Sequence, residues 1–242
     1  MDVEEIKDKA VYVLKGALNQ GAEDVITNVL VDKTRQIKFA NNDIVSTKTW
    51  DSVNMHVFLA LKKRIVSTSI SDLSNRNMDE SIRNLIKFAR SLKPSVDYHG
   101  IAEGPFNYRG VAGSCDKKIA GLSTENIDYV EAAINKALNY AKRTAGVLYT
   151  THLKDYIVSS NNIEASYERT NIEISLRAFA DKNASGHGVN CATNLRDFNP
   201  GEAGKKAGEI AKQALNPVEG REGLYDIIFD PLAFANLLGH IL

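Results

Sequence analysis

The sequence is poor in the residues that would make its chemistry easy to read. Its 242 residues include two cysteines, five prolines, three methionines and one tryptophan. The cysteines, Cys115 and Cys191, lie 76 positions apart and form no CxxC pair. That excludes a disulfide scaffold and a paired-cysteine zinc or redox module, so both are read as reduced thiols. No apolar run approaches the roughly 20 residues that cross a bilayer. Residues 1–16 are acidic and amphipathic, unlike a signal or transit peptide. The expectation is a cytoplasmic chain with no membrane partner. Charge of one sign is also lacking, because Lys plus Arg and Asp plus Glu each number 30. Nucleic-acid binders usually show a basic excess or stripe. Here the densest cationic cluster, Lys62-Lys63-Arg64, reads as a hairpin turn. Direct contact with nucleic acid is not expected.

Catalytic signatures are missing too. Among His56, His99, His152, His187 and His240, no two stand at i, i+3 or i, i+4. No helix face can therefore present a histidine pair to zinc. His56 lies mid-strand and reads as a hydrogen-bonded structural residue. His187 sits in Gly186-His187-Gly188, which reads as an exposed turn or a bulge. The stretch from Gly201 to Lys206 superficially suggests a phosphate loop. It has only two residues between its glycines and no Ser or Thr after the lysine, so close helix packing is the better account. No Gly-x-Ser-x-Gly elbow occurs. On the residues alone, no catalytic, cofactor-binding or metal-binding residue is assigned. No stoichiometric zinc is expected, and were zinc found, Cys115, Cys191 and His187 would be the residues to inspect.

What is present is clear periodicity. Residues 4–19 carry Ile6, Ala10, Val11, Leu14, Ala17 and Leu18 at helical spacing. Strands are then expected over 25–31, 36–40, 44–50, 53–60 and 65–70, with Asn41-Asn42-Asp43 as a hairpin turn. Asn77 with Glu80 reads as the capping box of a second helix. This makes a helix-flanked α+β domain over residues 1–92, expected to fold alone. Residues 93–123, with Pro94, Pro105 and five glycines, read as a linker or loop-rich segment.

A second α+β unit spans 124–222. Ser123 is expected to cap its first helix and Gly146 to end it. Strands follow over 147–158, 163–167, 172–180 and 185–195. A last helix has Asn199 as cap, Pro200 at its first position and Glu202 in its first turn. Within 223–242, residues 225–229 read as a short buried strand. Asp230 and Pro231 then open an apolar helix with Leu232, Phe234, Leu237, Leu238 and Leu242. The fold class is thus α+β: two antiparallel-sheet domains flanked by helices, then the start of a truncated third.

Several of these stretches resemble the TldD/PmbA family, described as metallopeptidase subunits or modulators of DNA gyrase. They are "IKFANNDIVSTKTW" (37–50), "RIVSTSISDLS" (64–74), "YIVSSNNIEASYERTNIEISLRAFA" (156–180), "AGKKAGEIAKQAL" (203–215) and "GLYDIIFDPLAFANLLGHIL" (223–242). Residues 93–123 carry little of the likeness. The resemblance implies that a large C-terminal domain begins near residue 223 and that the chain stops inside it. Residues 231–242 should then lack their cover and drive self-association.

The resemblance also implies a catalytic comparison. TldD-type members carry His-Glu-x-x-x-His after a Leu-Leu pair, where the histidines bind zinc and the glutamate activates water. Here Leu237-Leu238 is followed by Gly239 and His240. Glycine cannot ligate through a side chain, and a histidine moved by one residue points about 100° around the helix. The chain therefore resembles the zinc-less PmbA (TldE) type. The implied function is that of a non-catalytic subunit in a cytoplasmic, hetero-oligomeric metallopeptidase acting on unfolded peptides, with zinc held only by a TldD-type partner. The alternative is a non-enzymatic interaction protein acting on a partner such as DNA gyrase.

Overall fold

The computed structural model describes residues 3–123 and 126–241. Its spine is one antiparallel sheet of six strands in the order β3-β2-β1-β4-β5-β6. The strands are β1 (Asp24–Ala40), β2 (Asp43–Leu61), β3 (Arg64–Ile70), β4 (Arg143–Ser159), β5 (Glu164–Phe179) and β6 (Ser185–Ala192). Helices α1 (Val3–Asn19) and α2 (Asn75–Ser91) flank the first three strands. Helices α3 (Lys117–Ala120), α4 (Asp128–Leu138) and α5 (Pro200–Gln213) accompany the second three, and α6 (Pro231–Leu238) follows.

Two strands dominate. β1 and β4, each 17 residues long, pair from Ile26↔Ser159 to Ala40↔Ala145 without a register shift. The sequence suggested a break in β1 between residues 31 and 36. Instead Asp32, Lys33, Thr34, Arg35 and Gln36 continue the strand as half-buried residues. The reason lies in the cover. Val25, Val29 and Val31 enter one core with α1 and α2, whereas Ile37 and Phe39 enter a second core with α4 and α5. All are odd-numbered, so strand alternation puts both cores on the same face of the sheet. Between them no helix covers the strand, and apolar alternation fades. The segments read separately over 44–50 and 53–60 are likewise one strand, β2, with an irregularity where Phe39 pairs Ile44. Those over 163–167 and 172–180 are one strand, β5.

Local signals explain most boundaries. Asn41 and Asn42 both take positive φ, 53° and 69°, as a two-residue primed hairpin turn requires. Lys62 and Lys63 do the same between β2 and β3. The Asn199 side chain accepts from the Glu202 amide and Pro200 opens α5; Asp230 likewise accepts from Leu232 and Pro231 opens α6.

Other expectations are corrected. The N-cap of α2 is Ser74 rather than Asn77, whose side-chain amide instead donates to the Asp72 carbonyl at 2.8 Å, so no capping box forms. The N-cap of α4 is Ile127; Ser123 lies outside the helix and accepts from the Asn126 side chain. Gly146 ends no helix but lies within β4, where an added Cβ would fall 2.6 Å from the Phe39 ring.

The two cores are built differently. The first uses large side chains: α2 alone buries Met78, Ile82, Leu85 and Ile86, each contributing roughly 1.5–3 kcal/mol. The second is a close approach of backbones. α5 lies between β6 and α4, and its buried residues are Pro200, Ala203, Gly204, Ala207, Gly208 and Ala211. A Cβ on Gly204 would collide with the Ala133 carbonyl, and one on Gly208 would stand 2.8 Å from the Ala137 carbonyl. From the other side, a Cβ on Gly186 would reach 2.6 Å from the Ala211 amide. Gly204→Ala should therefore destabilise by about 1–3 kcal/mol through overpacking. Gly201→Ala, which faces the flexible Lys136 side chain at 3.3 Å, should be neutral or mildly stabilising. Denaturant melts of the two variants check this.

The two cores do not follow the expected bounds: Ile37 and Phe39 enter the second core and Tyr156 the first, and all the strands share one sheet. An isolated 1–92 segment would present the whole β1 edge, unpaired N–H and C=O groups included, to water or to another copy. Such a segment should aggregate or melt broadly and differently by different probes. The full chain should unfold cooperatively, and paired circular-dichroism and fluorescence melts would separate the two behaviours.

Candidate functional site

Residues 93–116 run from α2 along the sheet to the edge of β5. The Ser95 amide donates to the Lys63 carbonyl, and the Gly104 amide to Asn161. The Tyr98 hydroxyl donates to Asp24 at 2.7 Å, and its ring meets Phe58. Burial and the Asp24 carboxylate push that phenol well above its ordinary value. The segment ends as a strap on β5. Only residues 172–179 of β5 pair with β6, so the earlier part of its edge is open to another partner. The Thr170 amide donates to the Ser114 carbonyl at 2.9 Å, and the Asp116 amide donates to Thr170 Oγ1 at 2.8 Å. Thr170 Oγ1 in turn donates to the Thr193 carbonyl at 2.9 Å.

Asp116 locks the strap from the other side. Its carboxylate accepts from the Leu195 amide at 2.9 Å and caps α3 by accepting from the Lys118 amide at 2.8 Å. Those backbone bonds hold its carboxyl below the usual carboxylate range. Between Ser114 and Asp116 stands Cys115, half-buried.

Two strand residues meet Cys115 there. His152 pairs across the ladder with Thr170, and Glu168 pairs with Lys154. All four are even-numbered and project from the helix-bearing face, in the stretch that neither helix pair covers. His152 Nε2 lies 2.6 Å from Glu168 Oε1, and Lys154 Nζ lies 3.9 Å from the same oxygen. The imidazole side chain is 14% exposed and the carboxylate 46%. One donor atom each from Cys115, His152 and Glu168 falls within 4.8 Å of the others. Burial raises the Cys115 thiol, and the Glu168 and Asp116 carboxylates raise it further. The resting group is thus a thiol beside a carboxylate, not an activated thiolate. Cys115 also lines an open groove of about 750 Å³ with Gly113, Asp116, Lys117, Lys118, Asn194, Leu195 and Arg196.

The sequence named Cys115, but it could not place His152 and Glu168 beside it. They come from segments 37 and 16 positions apart, and a cross-strand meeting has no local spacing to betray it. The other residues singled out lie elsewhere. Cys191 is exposed on β6. His187 is on β6 rather than in a turn; it is half-buried, hydrogen-bonded to Ser175 at 2.9 Å, and lowered in pKa by burial. The glycines around it admit α5 instead of forming a bulge. His56, on β2, is exposed and bonded to Ser69 at 2.8 Å. His99 and His240 are exposed.

At the C-terminal end, residues 225–229 do not form the expected buried strand. They make no sheet pairing, and Ile228 is 99% exposed. α6 buries none of its residues and is tethered by a 3.0 Å Lys206–Asp230 ion pair. Phe234 and Leu237 are exposed, while Leu242 lies outside the described residues. Among the described residues no helix is long and apolar enough to cross a membrane.

Comparisons with known proteins agree with this architecture. Residues 123–215 match the PmbA/TldA metallopeptidase central domain. Among solved structures, a candidate modulator of DNA gyrase from Bacteroides thetaiotaomicron is 18% identical, with a TM-score of 0.84 over 100% of this chain and 57% of that one. A second such candidate, from Thermotoga maritima, is 20% identical with a TM-score of 0.70, over 87% of this chain and 48% of that one. TldE from Thermococcus kodakarensis is 12% identical with a TM-score of 0.74, over 86% and 48%. The chain thus spans about half the length of the solved structures it matches. No curated protein matches it in sequence. The α+β fold is the one these structures share, and residues 123–215 are similar to the central-domain model of the PmbA/TldA metallopeptidases.

The strap makes stability depend on pH through Asp116. A carboxyl whose folded pKa is depressed stabilises the fold above its unfolded value and loses that contribution as pH falls through the lower folded value. Asp116→Asn should lower the melting temperature most at neutral pH. The gap to wild type should close as pH drops below the ordinary carboxyl value of 3.8. Thermal melts of both proteins between pH 7 and pH 2 test the sign.

Proposed function

We propose that this chain is the N-terminal and middle part of a PmbA/TldD-type subunit of a peptidase system acting on unfolded peptides. In this reading it is the subunit that brings no peptidase zinc of its own at α6 and works beside a zinc-bearing TldD-type partner. One observation carries the reading. Leu237-Leu238 end α6, Gly239 is its C-cap, and His240 is exposed beyond it. The histidine pair and glutamate of the TldD-type resemblance have no counterpart in Gly239 and His240. The similarity to TldE points the same way. The exposed apolar residues from Leu224 to Ile241 suit a surface that a further domain or a partner covers. A non-enzymatic role on a partner such as DNA gyrase is the second reading, favoured by the names of two structural neighbours.

The test uses the complete reading frame containing this chain, alone and mixed with a TldD-type zinc subunit, on a disordered peptide. Mass spectrometry should show cleavage only in the mixture, and His240→Ala should leave it unchanged. Chelator-sensitive cleavage by the protein alone would overturn the reading. A change in gyrase supercoiling without any cleavage would favour the second.

A further inference from the structure

The geometry points to a divalent metal site of the zinc class formed by Cys115 Sγ, a ring nitrogen of His152 and a carboxylate oxygen of Glu168, separate from α6. The three donor types are those zinc takes, sulfur, imidazole nitrogen and carboxylate oxygen. Their atoms already lie within 4.8 Å of one another. Zinc bonds of about 2.0–2.3 Å would need Cys115 to draw in and the His152–Glu168 pair, now 2.6 Å apart, to open slightly, both within reach of side-chain rotation.

The placement is built into the backbone. Thr170 is fixed on both sides of its strand, by its amide to Ser114 and by its hydroxyl to Asp116 and Thr193. It therefore sets Cys115 against the strand two residues from Glu168 and directly across from His152. A lone cysteine or an acidic cluster would be ordinary surface chemistry. Here three different donors from a strap and two strands converge where the long strands lack helical cover. Binding would release the Cys115 thiol proton, and the cation would then offset the repulsion between the new thiolate and the Glu168 carboxylate. Three protein ligands leave a fourth position open, and Cys115 borders the groove that Lys117, Lys118 and Arg196 line. Loading would replace the 2.6 Å hydrogen bond between His152 and Glu168 with two metal bonds. This differs from the absence of zinc expected from histidine spacing, because spacing along a helix is blind to a cross-strand set.

The experiment uses the 242-residue chain, stripped with chelator and then equilibrated with Zn(II) or Co(II). One equivalent of zinc should be retained. The cobalt form should show a thiolate-to-metal charge-transfer band in the near ultraviolet. Cys115→Ser should abolish that band, and His152→Ala should weaken binding by more than the roughly 10–100-fold typical of losing an outer-shell partner. Cys191→Ser should change neither. Thermal melts of the metal-free variants confirm folding. Should Cys115→Ser fail to fold, the band in Cys191→Ser decides, because Cys115 is then the remaining thiol. A folded wild type that retains no zinc and shows no band overturns the proposal. So does equal zinc retention by a folded Cys115→Ser variant. Neither result bears on α6 or on peptide cleavage.

Discussion

The β1–β4 ladder is the constraint on which the rest of the structure depends. It joins two helix–meander–helix units at their first strands, with fifteen residues of each strand in continuous register. The backbone bonds it closes cannot be replaced by side chains. Without it, each unit would present a long unpaired edge, the surface most prone to wrong pairing. The ladder also fixes where the helices can sit. Each unit covers its own end of the shared sheet and on the same face. The middle of the long strands is therefore left between two cores, and polar residues tolerate that position at little cost.

The second unit adds a constraint of its own. Large side chains would hold α5 away from β6 and α4. Glycines at 186, 188, 204 and 208 let the backbones approach instead. That approach reaches the strap. The Asn199 amide, at the N-cap of α5, donates to the Asn190 side chain of β6 at 2.9 Å. The residues between them include Thr193 and Leu195, which bond Thr170 and Asp116. The segment that leads from β6 into α5 is thus the one that also holds the strap.

The sequence was legible wherever a local rule suffices. Asn41-Asn42 could be read as a primed turn, and Asn199-Pro200 and Asp230-Pro231 as helix starts, because the deciding bonds form within four residues. It was illegible wherever a distant partner decides. Residues 32–36 looked like a gap between strands since no helix covers them, yet the neighbouring strands keep them extended. Residues 225–229 looked like a buried strand on composition alone, but no described strand lies beside them. Gly146 and Gly186 looked like terminators or bulges; in place they make room for Phe39 and α5. The candidate site falls in the illegible class, since one donor comes from a loop-rich stretch and two from facing strands.

That origin bears on what kind of feature the site is. His152 and Glu168 lie within the segment that matches the PmbA/TldA central domain, whereas Cys115 lies just before it. The scaffold therefore offers two ligands on a rigid, paired pair of strands, and the strap supplies the third. Altering the strap would add or remove the soft donor without disturbing the sheet, because its hold on Thr170 and Leu195 runs through backbone groups and Asp116 rather than through Cys115. A site assembled this way can be gained or lost independently of the fold.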